Sequence, residues 1–194
     1  MKKIILLFTL LALLNSCSEI NNKDTSSYNF LPAESEVILN INDLENTKEI
    51  LSKNRNLENI SSSRRIVLNK LNLLSNQKSN SSGILALTPF GKNEIAYTYI
   101  RKTNDQDSVF KSDILKGEYQ NNKIFIDTTN SIEIYKIILG NYIISSSQDM
   151  VLENIIRDFN IRSPRIDSKF LKIMKGIDKN DPFNIFSISK NSNL

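Results

Sequence analysis

The stretch SIEIYKIILGNYIISSSQDMVLENIIRDFN, residues 131–160, decides the fold. Two apolar runs flank Gly140-Asn141, and this pair favours a tight hairpin turn because such residues tolerate positive φ. Ser146 and Asp149 then have the spacing of a capping box. The apolar residues that follow recur at helical spacing: Leu152, Ile155, Ile156 and Phe159. The stretch therefore predicts an antiparallel hairpin that leads into an amphipathic helix.

Similar patterns lie on both sides of this stretch. Alternation or short apolar runs predict further strands at 36–42, 84–87, 95–99, 114–120, 123–127 and 183–189. Turns are expected at 89–93 and at Asn121-Asn122. Helical spacing predicts helices at 44–51, 67–74 and 170–177, the first with Asn42 as its N-cap. Since the predicted helices and the predicted hairpins occupy different parts of the sequence, the expected class is α+β, with a mainly antiparallel sheet and helices segregated to one face.

Composition excludes several kinds of site. The 194-residue chain of 22.2 kDa contains no His and a single Cys. Ser-His-Asp and Cys-His nucleophilic sites, His-ligated zinc and an intrachain disulfide therefore cannot be built within it. The Lys and Arg residues are interspersed with acids, so the net charge of +4 is not a nucleic-acid signal.

The N-terminus has the pattern of a secretory leader. Lys2 and Lys3 precede an apolar run at residues 4–14 that is too short to cross a bilayer. The run ends at Leu14-Asn15-Ser16-Cys17, so the only cysteine of the chain stands at the end of the leader.

This ending resembles the lipobox of bacterial lipoproteins. The resemblance implies cleavage before Cys17, a diacylglyceryl thioether on its sulfur and a further acyl chain on its amine. Two or three acyl chains make a stable anchor, whereas one chain is marginal. Ser18 resembles a signal for release to the outer membrane, and Glu19 resembles the acidic export signals of Bacteroidota lipoproteins. The expected localisation is the cell envelope, outer membrane rather than inner, with the domain facing the periplasm or the cell exterior.

The sequence divides into three segments. Residues 1–16 form the signal peptide, residues 17–29 a polar, flexible tether, and residues 30–194 a single α+β domain. The expected partners are the bilayer, through acylated Cys17, and an envelope protein or ligand, with no nucleic acid.

A second resemblance concerns the domain. LPAESEVILNINDL at 31–44 resembles the "LPADT-strand-Asp-Leu" opening of a group of exported bacterial proteins of unknown function, and 139–156 resembles a second element of that group. These motifs are structural and imply no catalytic residues. Because members of that group are longer, the resemblance implies a shortened or split member, with a domain that could be incomplete at its C-terminus.

Acidic residues offer the remaining candidates for chemistry. Asp105, Asp107 and Asp113 could present oxygens to a divalent cation, although the glycine turn and closing Glu of a calcium loop are missing. Five acids lie in or beside strands and are expected to point to solvent: Glu94, Asp113, Glu118, Asp127 and Glu133. Strand tyrosines could either stack on a ligand or pack in the core.

The sequence thus favours a non-enzymatic, lipid-anchored binding or scaffolding module with no cofactor and no catalytic residue. The alternative is an exported hydrolase that uses carboxylates or a divalent metal, with Asp105, Asp107 and Asp113 as its best candidates.

Overall fold

The computed structural model describes residues 26–53, 82–92, 94–103, 113–128, 133–161, 168–177 and 180–187. These residues form eight strands, three α-helices and one 3-10 turn, Ser27–Phe30. The strands are β1 (Val37–Ile41), β2 (Gly83–Phe90), β3 (Glu94–Lys102), β4 (Ile114–Tyr119), β5 (Asn122–Asp127), β6 (Ile134–Leu139), β7 (Tyr142–Ser146) and β8 (Phe183–Ser187). The helices are α1 (Leu44–Lys53), α2 (Asp149–Asn160) and α3 (Ser168–Lys175). The predicted helix at 67–74 lies outside the described residues.

All eight strands belong to one antiparallel sheet, in the order β4-β5-β6-β7-β3-β2-β1-β8. Hairpins connect β2 with β3 and each consecutive pair from β4 to β7. The first strand, β1, lies between β2 and the last strand, β8. The α+β class and the antiparallel sheet that the sequence predicts are therefore confirmed.

Two of the three predicted turns differ from expectation. Gly140 has a φ of 55° at the expected place, but the β4–β5 turn uses Gln120 and Asn121, with φ of 45° and 64°, one residue earlier than predicted. The turn predicted at 89–93 is present but begins later, because β2 continues through Pro89 to Phe90 and the turn lies at residues 91–92, where Gly91 has a φ of 61°. Since β1 pairs with β2 only as far as Leu87, the missing amide proton of Pro89 interrupts no β1–β2 hydrogen bond.

The first helix is capped one residue later than predicted. The Asp43 carboxylate Oδ1 accepts a hydrogen bond from the Asn46 amide at 3.0 Å, as an N-cap side chain does. Asn42 instead joins the two ends of the domain. Its amide and that of Asp43 donate to the Pro182 carbonyl at 2.8 and 3.0 Å, and the Thr47 hydroxyl donates to the same oxygen at 3.2 Å. This carbonyl therefore fixes the entry to β8 against the start of α1.

The predicted capping box of α2 is wrong. Gln148 occupies the N-cap position and makes no capping hydrogen bond with its side chain. The Ser146 hydroxyl lies within β7, where it accepts from the Gln148 amide at 3.2 Å and donates to the Tyr97 carbonyl at 3.0 Å. Ser146 thus fastens β7 to β3 and also orders the turn that precedes α2.

The core lies on both faces of the sheet, because successive strand residues alternate between the faces. One face, called the α2 face, packs strand residues such as Ile38, Ile100 and Ile144 against Val151, Leu152, Ile155 and Ile156 of α2. The other, called the α1 face, packs Leu39, Leu85, Tyr97 and Tyr99 against Leu44 and Leu51 of α1. Since α1 and α2 pack on different faces, segregation of the helices to one face is not shown. Burial of each fully buried aliphatic side chain contributes about 1.5–3 kcal/mol to the stability of the domain.

The described chain begins at the 3-10 turn. The Ser26 hydroxyl accepts from the Tyr28 amide at 3.4 Å, and Phe30 is fully buried. The Phe30 ring lies 5.2 Å from that of Tyr142 and 5.5 Å from that of Phe159. The turn thus overlaps the end of the segment that the sequence assigns to the tether, and it attaches the N-terminal side of the domain to β7 and α2.

Candidate functional site

Three charged side chains converge on the α1 face, at one side of the tyrosine pair. Lys136 of β6 lies opposite Ser145 of β7 and Phe125 of β5. Asp127 follows two residues after Phe125 and so shares its face of the sheet. Asp113 directly precedes β4. The pairing of three consecutive strands therefore brings one lysine and two aspartates together.

Both aspartates form ion pairs with the same ammonium group. Lys136 Nζ lies 3.0 Å from Asp113 Oδ2 and 2.7 Å from Asp127 Oδ2. The Lys136, Asp113 and Asp127 side chains are only 12%, 3% and 16% exposed. The expectation that these two acids point to solvent is wrong, whereas Glu94, Glu118 and Glu133 are exposed as predicted.

This cluster, called the Lys136 cluster, carries one positive and two negative charges in a largely dry environment. Charges that are taken out of water need partners, because desolvation costs several kcal/mol per ion. Lys136 lies within ion-pair distance of both aspartates at once. The geometry stabilises a defined sheet register; it does not supply a free base or nucleophile.

A buried tyrosine borders the cluster. Burial, together with the negative charge of Asp127, raises the pKa of the Tyr97 phenol to about 12. The phenol therefore stays protonated at neutral pH. Tyr97 is 0% exposed and Tyr99 is 2% exposed. For these two rings the packing alternative is confirmed, and neither is available as a stacking platform for an external ligand.

The three serines at 145–147 are structural in this setting. Ser146 and Ser147 bond to the backbone of Tyr97, the Ser147 hydroxyl accepting from the Tyr97 amide at 3.1 Å. Ser145 is 1% exposed, and its hydroxyl has no hydrogen-bond partner in the part of the chain that the structure describes. It faces the same side as Lys136, directly across from it. Because that lysine is paired with two carboxylates, it does not act as a base toward Ser145.

A second, more exposed cluster lies on the α2 face. Lys116 forms an ion pair with Asp149 at the start of α2, and its ammonium lies 4.3 Å from the centroid of the Tyr135 ring. The hydrogen bond from Lys116 holds the pKa of Asp149 below its ordinary value. The Tyr135 hydroxyl donates to Glu133 at 2.5 Å, which raises the pKa of Tyr135 to about 12. These contacts fasten β4 to α2, and their exposure keeps each contribution small.

The remaining predicted site residues fall outside these clusters. Cys17, Asp105 and Asp107 lie outside the described residues. Asp113 is described, and its carboxylate forms an ion pair with Lys136. Among the described residues, no group of three or more His, Cys, Asp or Glu side chains is placed to hold a metal ion. Within the same ranges, no helix is both long enough and apolar enough to span a membrane.

The sequence carries one signal for the Lys136 cluster that the prediction overlooked. Lys136 interrupts the apolar strand IYKIIL of β6, and lysine is rarely buried without a charged partner.

Comparison with known proteins found no match: no family model, no curated protein and no solved structure matches the chain.

Proposed function

We propose that this chain is a lipid-anchored protein of the cell envelope whose folded domain is a binding or scaffolding module. The observation that carries the proposal is the N-terminal pattern: Lys2 and Lys3, an apolar run at 4–14, and the only cysteine of the chain directly after it. The sulfur of Cys17 would carry a diacylglyceryl group, and its amine, freed by cleavage, a further acyl chain.

The outer membrane is the proposed location, with the domain facing the periplasm. Ser18 after the lipidated cysteine supports release from the inner membrane, in keeping with the resemblance to sorted lipoproteins. The proposed partners are the bilayer, through Cys17, and an envelope protein or ligand that the domain binds.

A non-enzymatic role is supported by the chemistry of the side chains. The chain has no His for general base or nucleophilic work. The two buried aspartates of the Lys136 cluster both lie within ion-pair distance of one lysine, so each already has a cationic partner. Tyr97 beside them is held in its neutral form. This is the pattern of a structural network within a sheet.

The alternative function, an exported hydrolase that uses a metal or carboxylates, makes a distinct prediction. If Asp105, Asp107 and Asp113 bound Ca²⁺, Mg²⁺ or Mn²⁺, the metal would raise the melting temperature of the purified domain by mass action. No stabilisation by any of the three ions would remove the support for a metal-dependent reaction. Stabilisation that Asp105→Asn abolishes would support it.

Metabolic labelling with a fatty-acid analogue tests the anchor directly. Wild-type protein should acquire the label, float with membranes and have a mass that fits cleavage before Cys17. The Cys17→Ser variant should acquire no label and leave the membrane fraction, and Ser16→Ala should behave as wild type because it keeps a small residue before the cysteine. Equal labelling of wild type and Cys17→Ser would contradict the proposal.

A further inference from the structure

The short helix α3 packs on β8 through its apolar side chains. The Phe170 ring lies edge-on to the Phe186 ring of β8, with the ring centroids 5.9 Å apart. Met174, one turn further along the helix, is only 4% exposed. Because residues three and four apart share one side of a helix, these contacts define the inner face of α3. Three exposed side chains share the opposite side, called here the outer face of α3: Lys169, Lys172 and Ile173.

The outer face of α3 combines cations with an exposed apolar side chain. Ile173 is 59% exposed, and exposed lysines precede it by one and by four residues. The helix sequence SKFLKIMK contains no acid, and neither does the β8 sequence FNIFS. This combination fits the boundary of a bilayer. The apolar side chain can enter the acyl boundary while the ammonium groups at the ends of the lysine stems reach the lipid phosphates.

The sequence around α3 carries the net charge of the whole chain. The chain has 25 Lys and Arg residues and 21 Asp and Glu residues, a net charge of +4. Seven of these cations and three of these acids lie at residues 157–179, so this stretch also carries +4 and the rest of the chain has no net charge. A local excess of cations attracts an anionic surface.

A second group of exposed apolar side chains lies beside β4, at the opposite edge of the sheet, but its charges differ. Each of the three is more than half exposed: Ile114, Leu115 and Met150. The ammonium of the nearby Lys116 already forms an ion pair with Asp149, and Glu118 and Glu133 are exposed in the same region. These acids would repel an anionic lipid. Apolar exposure alone therefore does not choose the face that meets the bilayer, whereas charge does.

The proposed acyl anchor at Cys17 makes a weak lipid contact sufficient. Nine residue steps separate Cys17 from Ser26, where the described chain begins, and they span at most about 30 Å at about 3.3–3.6 Å per residue. This length allows more than one face of the domain to reach the bilayer, so it fixes no orientation. It does keep the domain at a high local concentration of lipid, because binding of an anchored domain to its own membrane is in effect intramolecular.

From the charge and exposure of these residues we infer that the outer face of α3 binds the anionic surface of the bilayer, with Lys169 and Lys172 at the lipid phosphates and Ile173 in the interface. The inference rests on the proposed anchor at Cys17 and deepens it, because it names the class of lipid that the folded domain itself contacts. It leaves the β4 edge of the sheet accessible to a partner in the aqueous compartment.

Tryptophan fluorescence tests this inference, because the chain contains no tryptophan. Full-length lipidated protein carrying Ile173→Trp is reconstituted into vesicles of phosphatidylcholine and phosphatidylglycerol whose acyl chains are brominated. Its fluorescence should be quenched several-fold more strongly than that of Met150→Trp, an exposed apolar position beside β4. The quenching of Ile173→Trp should weaken in phosphatidylcholine alone and at high salt, because both conditions reduce the electrostatic attraction.

Charge reversal at one lysine provides a matched comparison. Each unit of charge near an anionic membrane surface changes binding by about fivefold. Lys172→Glu changes the charge by two units, so in the Ile173→Trp protein it should lower the ratio of bound to unbound domain more than tenfold and remove most of the quenching. Lys123→Glu makes the same change of charge on β5 and should leave the quenching unchanged. Both lysines are exposed, so neither replacement should disturb folding.

The outcomes separate this inference from the proposed function. Protein that acquires the acyl label and floats with vesicles, but is quenched equally at positions 173 and 150 or is insensitive to Lys172→Glu, would overturn the lipid contact alone. Absence of quenching, with photo-crosslinking of position 173 to an acidic envelope protein, would also overturn it and would assign the outer face to that protein. Protein that acquires no label and does not float would overturn the anchor and, with it, the contact. Quenching at position 173 that is lost with Lys172→Glu but kept with Lys123→Glu would support both.

Discussion

Replacing Lys136 with methionine tests whether the Lys136 cluster holds β4, β5 and β6 together. The variant keeps most of the side-chain volume but removes the ammonium group that forms ion pairs with both Asp113 and Asp127. Both carboxylates, which have little solvent access, would then lose the ammonium group that pairs with them. Breaking a buried pair in this way costs about 3–5 kcal/mol.

The expected loss is large compared with the whole stability of a domain. At about 2–4 °C per kcal/mol for a domain of this size, the melting temperature of Lys136→Met should fall by about 6–20 °C. Chemical denaturation followed by circular dichroism measures the same change as a shift in midpoint. The slope of the transition should stay constant, because the surface exposed on unfolding does not change.

A double-mutant cycle isolates the contribution of the pairing. Lys136→Met and Asp127→Asn, made singly and together, should show a coupling free energy of about 0.5–3 kcal/mol, because the Asp127 carboxylate that loses its lysine in Lys136→Met is absent from the double variant, where only the Asp113 carboxylate remains.

Lys123→Met provides the matched control. This lysine lies on the neighbouring strand β5 and is exposed, so its replacement should change stability by no more than about 0.5 kcal/mol. If Lys136→Met cost no more than Lys123→Met, or if the cycle were additive, the Lys136 cluster would not stabilise the sheet and the reasoning would be refuted.

Three further predictions concern single positions. A Cβ on Gly83 would lie 2.6 Å from the Tyr99 hydroxyl oxygen, so Gly83→Ala should destabilise the domain by about 1–3 kcal/mol. Gly117 has open space around it, so Gly117→Ala should be nearly neutral. Equal melting temperatures for the two variants would contradict this prediction. Because the folded pKa of Tyr97 is raised from 10.0 to about 12, its stabilising contribution is complete below pH 10 and is lost as the pH rises toward 12. Ultraviolet titration of Tyr97→Phe should therefore show one late-ionising phenol fewer than wild type, and an unchanged titration would count against the assignment. Asn121 has a φ of 64°, a left-handed backbone conformation that a β-branched residue disfavours. Asn121→Val should therefore destabilise the domain by about 1–2 kcal/mol, whereas Asn121→Gly should not. Similar melting temperatures for the two variants would argue against a left-handed turn residue.

Local signals in the sequence were enough to predict most of the sheet. The 140–141 turn, the alternation at β1 and the helical spacing of α1 each depend on residues within one element, and the structure confirms them. The errors are local as well. The N-cap of α1 moved by one residue because both Asn42 and Asp43 can cap, and the choice depends on Pro182, which lies far away in sequence.

The Lys136 cluster shows what the sequence could not supply. Asp113 and Asp127 lie 23 and 9 residues from Lys136, and each would point to solvent if its own strand were considered alone. Their burial follows from the lateral order β4-β5-β6 and from the face on which Lys136 lies. The alternation of residues along a strand shows which side chains share a face of the sheet. It does not show which face is covered near the edge of the sheet. The sequence therefore could not distinguish the exposed acids Glu94, Glu118 and Glu133 from the buried Asp113 and Asp127.

The position of β1 between β2 and β8 has a consequence for biosynthesis. Residues 37–41 pair with residues 183–187, which leave the ribosome much later. The nascent chain therefore cannot complete the pairing of β1 before β8 has been made, and contacts of such long sequence separation form slowly. Until β8 arrives and the Pro182 carbonyl receives its three hydrogen bonds, one side of β1 stays open, and this is the stage at which a holding chaperone would protect the polypeptide from intermolecular strand pairing.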